Sequence, residues 1–146
     1  KGALYTVSEA AGYMKDAGNG GTIVLMASDQ ALVGKEGSIV YGATKGGVAQ
    51  MAKSLSVALS PYDIRVNAVC PATVRTPLTD GVFKWIAEKH FDGNVDAAWE
   101  AEAKLLPIGR VADPSEIAEV VYFLSTSSSS FMTGSLVPVD GGLTAQ

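Results

Sequence analysis

Cysteine and histidine occur once each, as Cys70 and His90. A single cysteine cannot close an intramolecular disulfide, and this pair is too small for a cysteine-based zinc cluster. A catalytic zinc needs about three protein ligands. His90 has no visible partners in the sequence and reads as a surface or lid residue, so no metal site is expected. Cys70 ends an apolar run and reads as a small buried strand residue. No cluster of Lys or Arg appears and the net charge is −4, which argues against nucleic acid or an anionic membrane as partner. No apolar run approaches the ~20 residues of a membrane span. No signal-peptide pattern stands at Lys1, and a cytoplasmic protein is the expectation. Sixteen glycines are present, yet no G-x-G-x-x-G phosphate-binding turn occurs. There is no Met at position 1, and Lys1-Gly2-Ala3-Leu4-Tyr5 leads directly into a helical pattern, as if the chain began in mid-fold.

The 146 residues that are present are 47% hydrophobic and 18% charged, one domain's worth of chain with enough apolar surface for a core. Leu4, Val7, Ala10, Ala11 and Met14 recur at helical spacing, and Gly18-Asn19-Gly20-Gly21 ends that helix. The apolar run Thr22–Ala27 reads as a strand buried on both faces. Residues 29–38 read as a loop. Residues 39–59 read as a long helix whose buried face carries Val48, Met51, Ala52, Leu55 and Leu59. Residues 64–70 read as a second strand, ended by Pro71. Short helical pieces are expected around 83–90 and 97–105. Asp113-Pro114-Ser115-Glu116 is a helix start with Asp113 as N-cap and Pro114 at the first helical position. Leu136–Val139 reads as a third strand, and Asp140-Gly141-Gly142 turns away from it. Helices alternating with strands predict an α/β fold with parallel strands and right-handed crossovers.

Tyr41 and Lys45 fall one helical turn apart on one face. An ammonium beside a phenol favours the phenolate, which makes Tyr41 a candidate general acid/base. Ser28, thirteen residues upstream at the end of the first strand, could hold an oxygen in register with it. Asp29 follows directly. Its carboxylate could bind a polyol hydroxyl, face solvent, or cap a turn.

Ser28, Tyr41-x-x-x-Lys45, Asn67-Ala68-Val69-Cys70-Pro71-Ala72-Thr73-Val74-Arg75-Thr76, Gly109-Arg110, Pro114-Ser115-Glu116-Ile117-Ala118, Thr133-Gly134 and Asp140-Gly141-Gly142 follow one another in order. Together they resemble the C-terminal half of the short-chain dehydrogenases/reductases, from Lys1 to about Gly142. The resemblance implies a Rossmann-like, doubly wound parallel sheet with helices on both faces. This chain would supply about its last three strands, and the phosphate-binding half that precedes them in the family would be absent. It also implies NAD or NADP as cofactor and hydride transfer between a nicotinamide and a carbon bearing a hydroxyl or carbonyl. The substrate would be a small secondary alcohol or ketone, with Asp29 pointing towards a sugar or polyol.

The resemblance assigns roles residue by residue. Tyr41 exchanges the hydroxyl proton, Lys45 assists it and binds the nicotinamide ribose, and Ser28 bonds the reacting oxygen. Pro71, Ala72, Val74 and Thr76 run past the nicotinamide. Val74 offers backbone groups to the carboxamide, and Thr76 a hydroxyl to the carboxamide or a phosphate. Ala72 replaces the usual glycine and narrows the substrate side, where Ser28, Asp29 and Trp85 also belong. Phe83, His90 and Phe91 lie in the stretch resembling the family's lid. Asn67 is expected to tie backbone near the Ser28 loop. The first helix and the Tyr41 helix resemble a dimer interface, with Gly42, Ala43, Gly46 and Gly47 permitting close packing, and a homotetramer or homodimer is implied. Two functional expectations follow. One is an oxidoreductase of which residues 1–146 alone are inactive. The other is a truncated, inactive homologue acting only through its oligomer surfaces.

Overall fold

A computed structural model describes all 146 residues. Three parallel strands form one sheet in the order β1 (Gly21–Met26), β2 (Ile64–Pro71), β3 (Leu136–Val139). Helix α1 (Gly2–Ala17) precedes β1, and α2 (Ile39–Leu59) crosses from β1 to β2. Helices α3 (Pro77–His90), α4 (Val95–Leu105) and α5 (Pro114–Ser125) lie between β2 and β3. The expected α/β alternation and all three strands are therefore present.

The two-residue period of β2 decides which helix covers which face. Ile64, Val66, Ala68 and Cys70 point to one side, where they form a buried core with Ile23 and Leu25 of β1, Val7 and Ala11 of α1, and Ala52 and Leu59 of α2. Val69 points the other way, into a cluster with Ile117 and Leu124 of α5 and with Val24 and Val137 packed around them. The sheet is thus covered on both faces, as a parallel sheet requires. Ile64, fully buried, makes the scale concrete: its truncation to Ala would cost about 2–5 kcal/mol through lost transfer energy and the cavity left behind.

The polar residues of β2 on the α5 side are also consumed. Arg65 donates to the carbonyls of Leu124, Thr126 and Met132 and to the Ser129 hydroxyl. Asn67 donates from Nδ2 to the Met132 carbonyl and accepts at Oδ1 from the Ser135 N–H. This corrects the expectation that Asn67 ties backbone near Ser28. Alternation along β2 points its amide towards the segment that leads into β3, and that segment has unpaired backbone groups to satisfy.

Local signals set the element ends. Gly18 adopts a left-handed conformation (φ 67°) and returns its N–H to the carbonyls of Met14 and Lys15, closing α1. Gly20 also has positive φ, and a Cβ there would lie 2.8 Å from the Asp63 carbonyl oxygen, so the turn into β1 requires glycine. Asp113 and Glu116 form a reciprocal capping box at the start of α5, with Pro114 inside the first turn. The Arg110 guanidinium grips the Glu116 carboxylate with two bonds of 2.7 Å. That grip, with the Asp113 N–H, holds the Glu116 pKa down at about 2. No helix is long and apolar enough to cross a membrane.

Candidate active site

The register brings three chain segments together at the carboxyl ends of the strands. Met26 pairs with Val69, and Pro71 with Val139. The Ala27 N–H continues the ladder to the Val69 carbonyl, and the Ala72 N–H to that of Val139. Ser28, Ala72 and Asp140 therefore emerge at one edge of the sheet, where parallel α/β folds place their binding crevices.

Ser28 is fully extended and caps a single 3₁₀ turn, Asp29–Ala31. Its hydroxyl donates to Asp29 Oδ1 at 2.6 Å and accepts from the Gln30 N–H at 3.2 Å. Asp29 Oδ1 also accepts that N–H, at 2.8 Å. Both side chains are buried, Ser28 at 5% exposure and Asp29 at 7%. Asp29 thus turns inward onto its own turn and away from solvent.

Helix α2 begins eleven residues after Ser28 and presents Tyr41 and Lys45 on successive turns. The Lys45 ammonium donates to the Met26 carbonyl at 2.9 Å and lies 5.6 Å from the centre of the Tyr41 ring. The Tyr41 side chain is 46% exposed. The strand end thus fixes the lysine, the lysine flanks the tyrosine, and the tyrosine stays half exposed. Gly42 faces the Gln30 carbonyl, where the serine turn and the tyrosine helix meet. Nothing in the chain lies within 4 Å of a Cβ built on Gly46 or Gly47.

Cys70 lies beneath this edge. Burial pushes its thiol upward, against a bond from the Ser28 backbone. It is fully buried, as its place in the strand implied. Asp140 follows β3, whose Pro138 pairs with Cys70. Burial works against ionisation there, but bonds from Thr144 and the Gly142 N–H outweigh it and hold the carboxyl below the usual range.

The segment after β2 is pinned to the start of α5. Arg75 N–H bonds the Ala112 carbonyl, and Ala112 N–H bonds that of Thr73. Val74, between them, has its carbonyl occupied by the Thr79 hydroxyl. Its N–H donates to no backbone carbonyl. Thr76 caps α3, exchanging bonds with Thr79 in both directions. Trp85 is 54% exposed on α3, with the Lys89 ammonium 4.1 Å above its ring. His90 ends the same helix on the surface.

Two residues that the sequence did not single out organise the α3–α4 lobe. Trp99 stacks on Phe83 with ring centres 3.8 Å apart and carries Arg75 on its ring. Glu102 of α4 accepts from the Thr73 hydroxyl and pairs with Lys35 at 3.3 Å, joining the loops that follow β2 and β1. The short Trp99–Glu102 spacing was the available signal: one helix carries an apolar anchor and, three residues on, a charge. Two clefts are lined by chain neighbours of the candidate site residues. One of about 340 Å³ is lined by residues including Gln30, Lys35, Ser38 and Gly42. The other, of about 280 Å³, is lined by residues including Ala72, Thr73, Arg110 and Asp140. Neither wall includes Ser28, Tyr41 or Lys45.

Residues 1–144 match the family described as enoyl-(acyl carrier protein) reductase. An L-rhamnose 1-dehydrogenase (NAD(P)(+)) of Azotobacter vinelandii is 34% identical over 142 residues, which are 97% of this chain and 52% of that protein. A cyclopentanol dehydrogenase of Comamonas testosteroni is 39% identical over 127 residues, 86% of this chain and 46% of that one. A crystal structure of a short chain dehydrogenase family protein from Francisella tularensis superposes with a TM-score of 0.83 at 46% identity, covering 86% of this chain and 51% of that one. The chain spans about half the length of the curated relatives it matches.

Proposed function

The chain belongs to the short-chain dehydrogenase/reductase family, and we propose that the protein containing it interconverts a secondary alcohol of the sugar or polyol type with its ketone, using NAD or NADP. The observation that carries this reading is the Lys45 ammonium, fixed on the Met26 carbonyl and set beside an accessible Tyr41. Relatives named for L-rhamnose and for cyclopentanol support a hydroxylated or cyclic alcohol as substrate class.

The residues present fit a nicotinamide at the strand ends. The Val74 N–H is left without a backbone partner and suits a carboxamide oxygen. Pro71 and Ala72 form the strand end beside it. Thr76 offers a second hydroxyl only by relaxing its bonds with Thr79. When bound, the nicotinamide accepts or supplies the hydride. Tyr41 exchanges the substrate's hydroxyl proton, with the Lys45 ammonium 5.6 Å from its ring centre. Ser28 bonds the reacting oxygen and orients it towards Tyr41. Charge developing on that oxygen is thereby matched by proton transfer in place.

Catalysis also requires a phosphate-binding half, which this chain's sequence does not supply. The free edge of β1 is where such a half would add its strands. Residues 1–146 alone are accordingly inactive. The exposed Leu4 and Tyr5 of α1 and Ile39, Val40 and Val57 of α2 fit a dimer or tetramer interface. Those same surfaces favour a second reading, an inactive homologue that acts only through assembly. The full-length protein, incubated with NAD+ or NADP+ and with L-rhamnose or cyclopentanol, separates the two. Appearance of reduced cofactor supports the dehydrogenase. Its absence across both cofactors and both alcohols, with assembly retained, supports the second reading.

A further inference from the structure

Two side chains of α4 grip the segment that follows β2. Glu102 Oε1 accepts from the Thr73 hydroxyl, and the Arg75 guanidinium lies 4.6 Å from the centre of the Trp99 ring. Val74, between the gripped residues, forms a parallel bridge with Ala112, so the segment is locally extended. In extended backbone, residues two apart project to one side and the residue between them to the other. Thr73 and Arg75 accordingly meet α4, while Val74 packs into the cluster around Val69 and Ile117. The backbone bonds of Thr73 and Arg75 both run to Ala112, before α5. The tie across to the loop after β1 is Glu102, whose same Oε1 holds the Lys35 ammonium at 3.3 Å. We infer that Glu102 is a positioning residue for the cofactor: through Thr73 it sets where the Val74 N–H meets the nicotinamide carboxamide, so that α4 contributes to nicotinamide binding without touching the ring.

The inference rests on the dehydrogenase reading given above, in which the Val74 N–H serves the carboxamide. The Glu102 side chain is only 14% exposed, so water screens its bond to Thr73 poorly. A hydroxyl bonded to a carboxylate is also of the stronger, charge-assisted kind. Without it the segment keeps its bonds to Ala112 but loses its hold on the side of the first loop. The Val74 N–H is then present and no longer fixed against the crevice. Adenosine and phosphates belong to the half of the protein that adjoins the free edge of β1, and Glu102 has no contact in that direction. Its effect is therefore confined to the nicotinamide end of the cofactor.

The test titrates full-length protein with two ligands. One is the dinucleotide that wild type binds more tightly, NADH or NADPH. The other is the matching compound that lacks only the nicotinamide, ADP-ribose or its phosphorylated form. In Glu102→Ala the dinucleotide Kd is expected to rise about tenfold, the size that one bond to a charged group supplies, while the Kd of the nicotinamide-free ligand stays unchanged. Thr73→Val removes the hydroxyl and keeps the shape, and should reproduce that loss. The double variant should be no weaker than either single one, because both remove the same bond. Glu102→Gln keeps an oxygen for the Thr73 hydroxyl and should lie between wild type and Ala. Equal weakening of both ligands marks a merely structural role and overturns the inference, as does an unchanged dinucleotide Kd. Wild-type protein that binds neither NADH nor NADPH overturns the dehydrogenase reading, and the inference falls with it.

Discussion

The Lys45 ammonium donates to the Met26 carbonyl at 2.9 Å and so ties the second turn of α2 to the last residue of β1. One bond sets the distance between the strand edge, where Ser28 emerges, and the helix that carries Tyr41. Lys45→Met keeps the apolar stem and removes the charge. Steady-state turnover of the full-length protein should fall on the order of 10²–10⁴-fold, the range that positioned proton transfer supplies. The thermal midpoint should hardly change, because the bond is exposed. Turnover within a few-fold of wild type would remove Lys45 from the mechanism.

Glu102 bridges the loops after β1 and β2 from a helix that neither loop adjoins in sequence. Glu102→Gln should cost less than about 1 kcal/mol in urea melts, since Lys35 is half exposed and such pairs are weak. Amide exchange in residues 95–105 should accelerate while that of α2 stays unchanged. Equal acceleration in both helices would show that Glu102 supports the whole fold and not the α3–α4 lobe alone.

The sequence made the sheet legible because its strands are short apolar runs between glycine and proline boundaries, and the observed strands fall where those runs do. The long helix over 39–59 was legible through its alanines and its apolar face. The start of α3 was less so. Pro77 opens it six residues before the expected helical stretch, because the Thr76–Thr79 capping box forms from two threonines and lacks the usual acidic partner. The inward turn of Asp29 was only partly legible: turn chemistry favours solvent or a cap over a ligand for an Asp after a serine, but gives no partner. Its hydrogen-bond geometry separates them. Asn67 was misplaced for a related reason: strand alternation gives the face, but only the tertiary path of residues 132–135 supplies the partners.

Gly46 lies inside α2 with nothing within 4 Å of an added Cβ. Gly46→Ala should therefore raise stability by about 0.5–1 kcal/mol, the helix-propensity difference. A lower thermal midpoint in the assembled protein would show that another surface packs against this face of α2.

Glu116 has a folded-state pKa of about 2, below its usual 4.5. A depressed carboxylate stabilises fully above its unfolded value, and that contribution is lost as pH falls through the folded one. The difference in urea midpoint between wild type and Glu116→Gln should be constant near neutrality and shrink between pH 4.5 and 2. A difference that persists at the acid end would show that the Arg110 grip acts through shape and not charge.

The measurement that bears most directly on the account is single-turnover hydride transfer by full-length Tyr41→Phe, with cofactor affinity read in parallel by fluorescence. The account predicts a loss of chemistry on the order of 10²-fold or more with cofactor affinity within a few-fold of wild type. Near-full turnover by Tyr41→Phe would contradict it and take the acid/base role away from Tyr41.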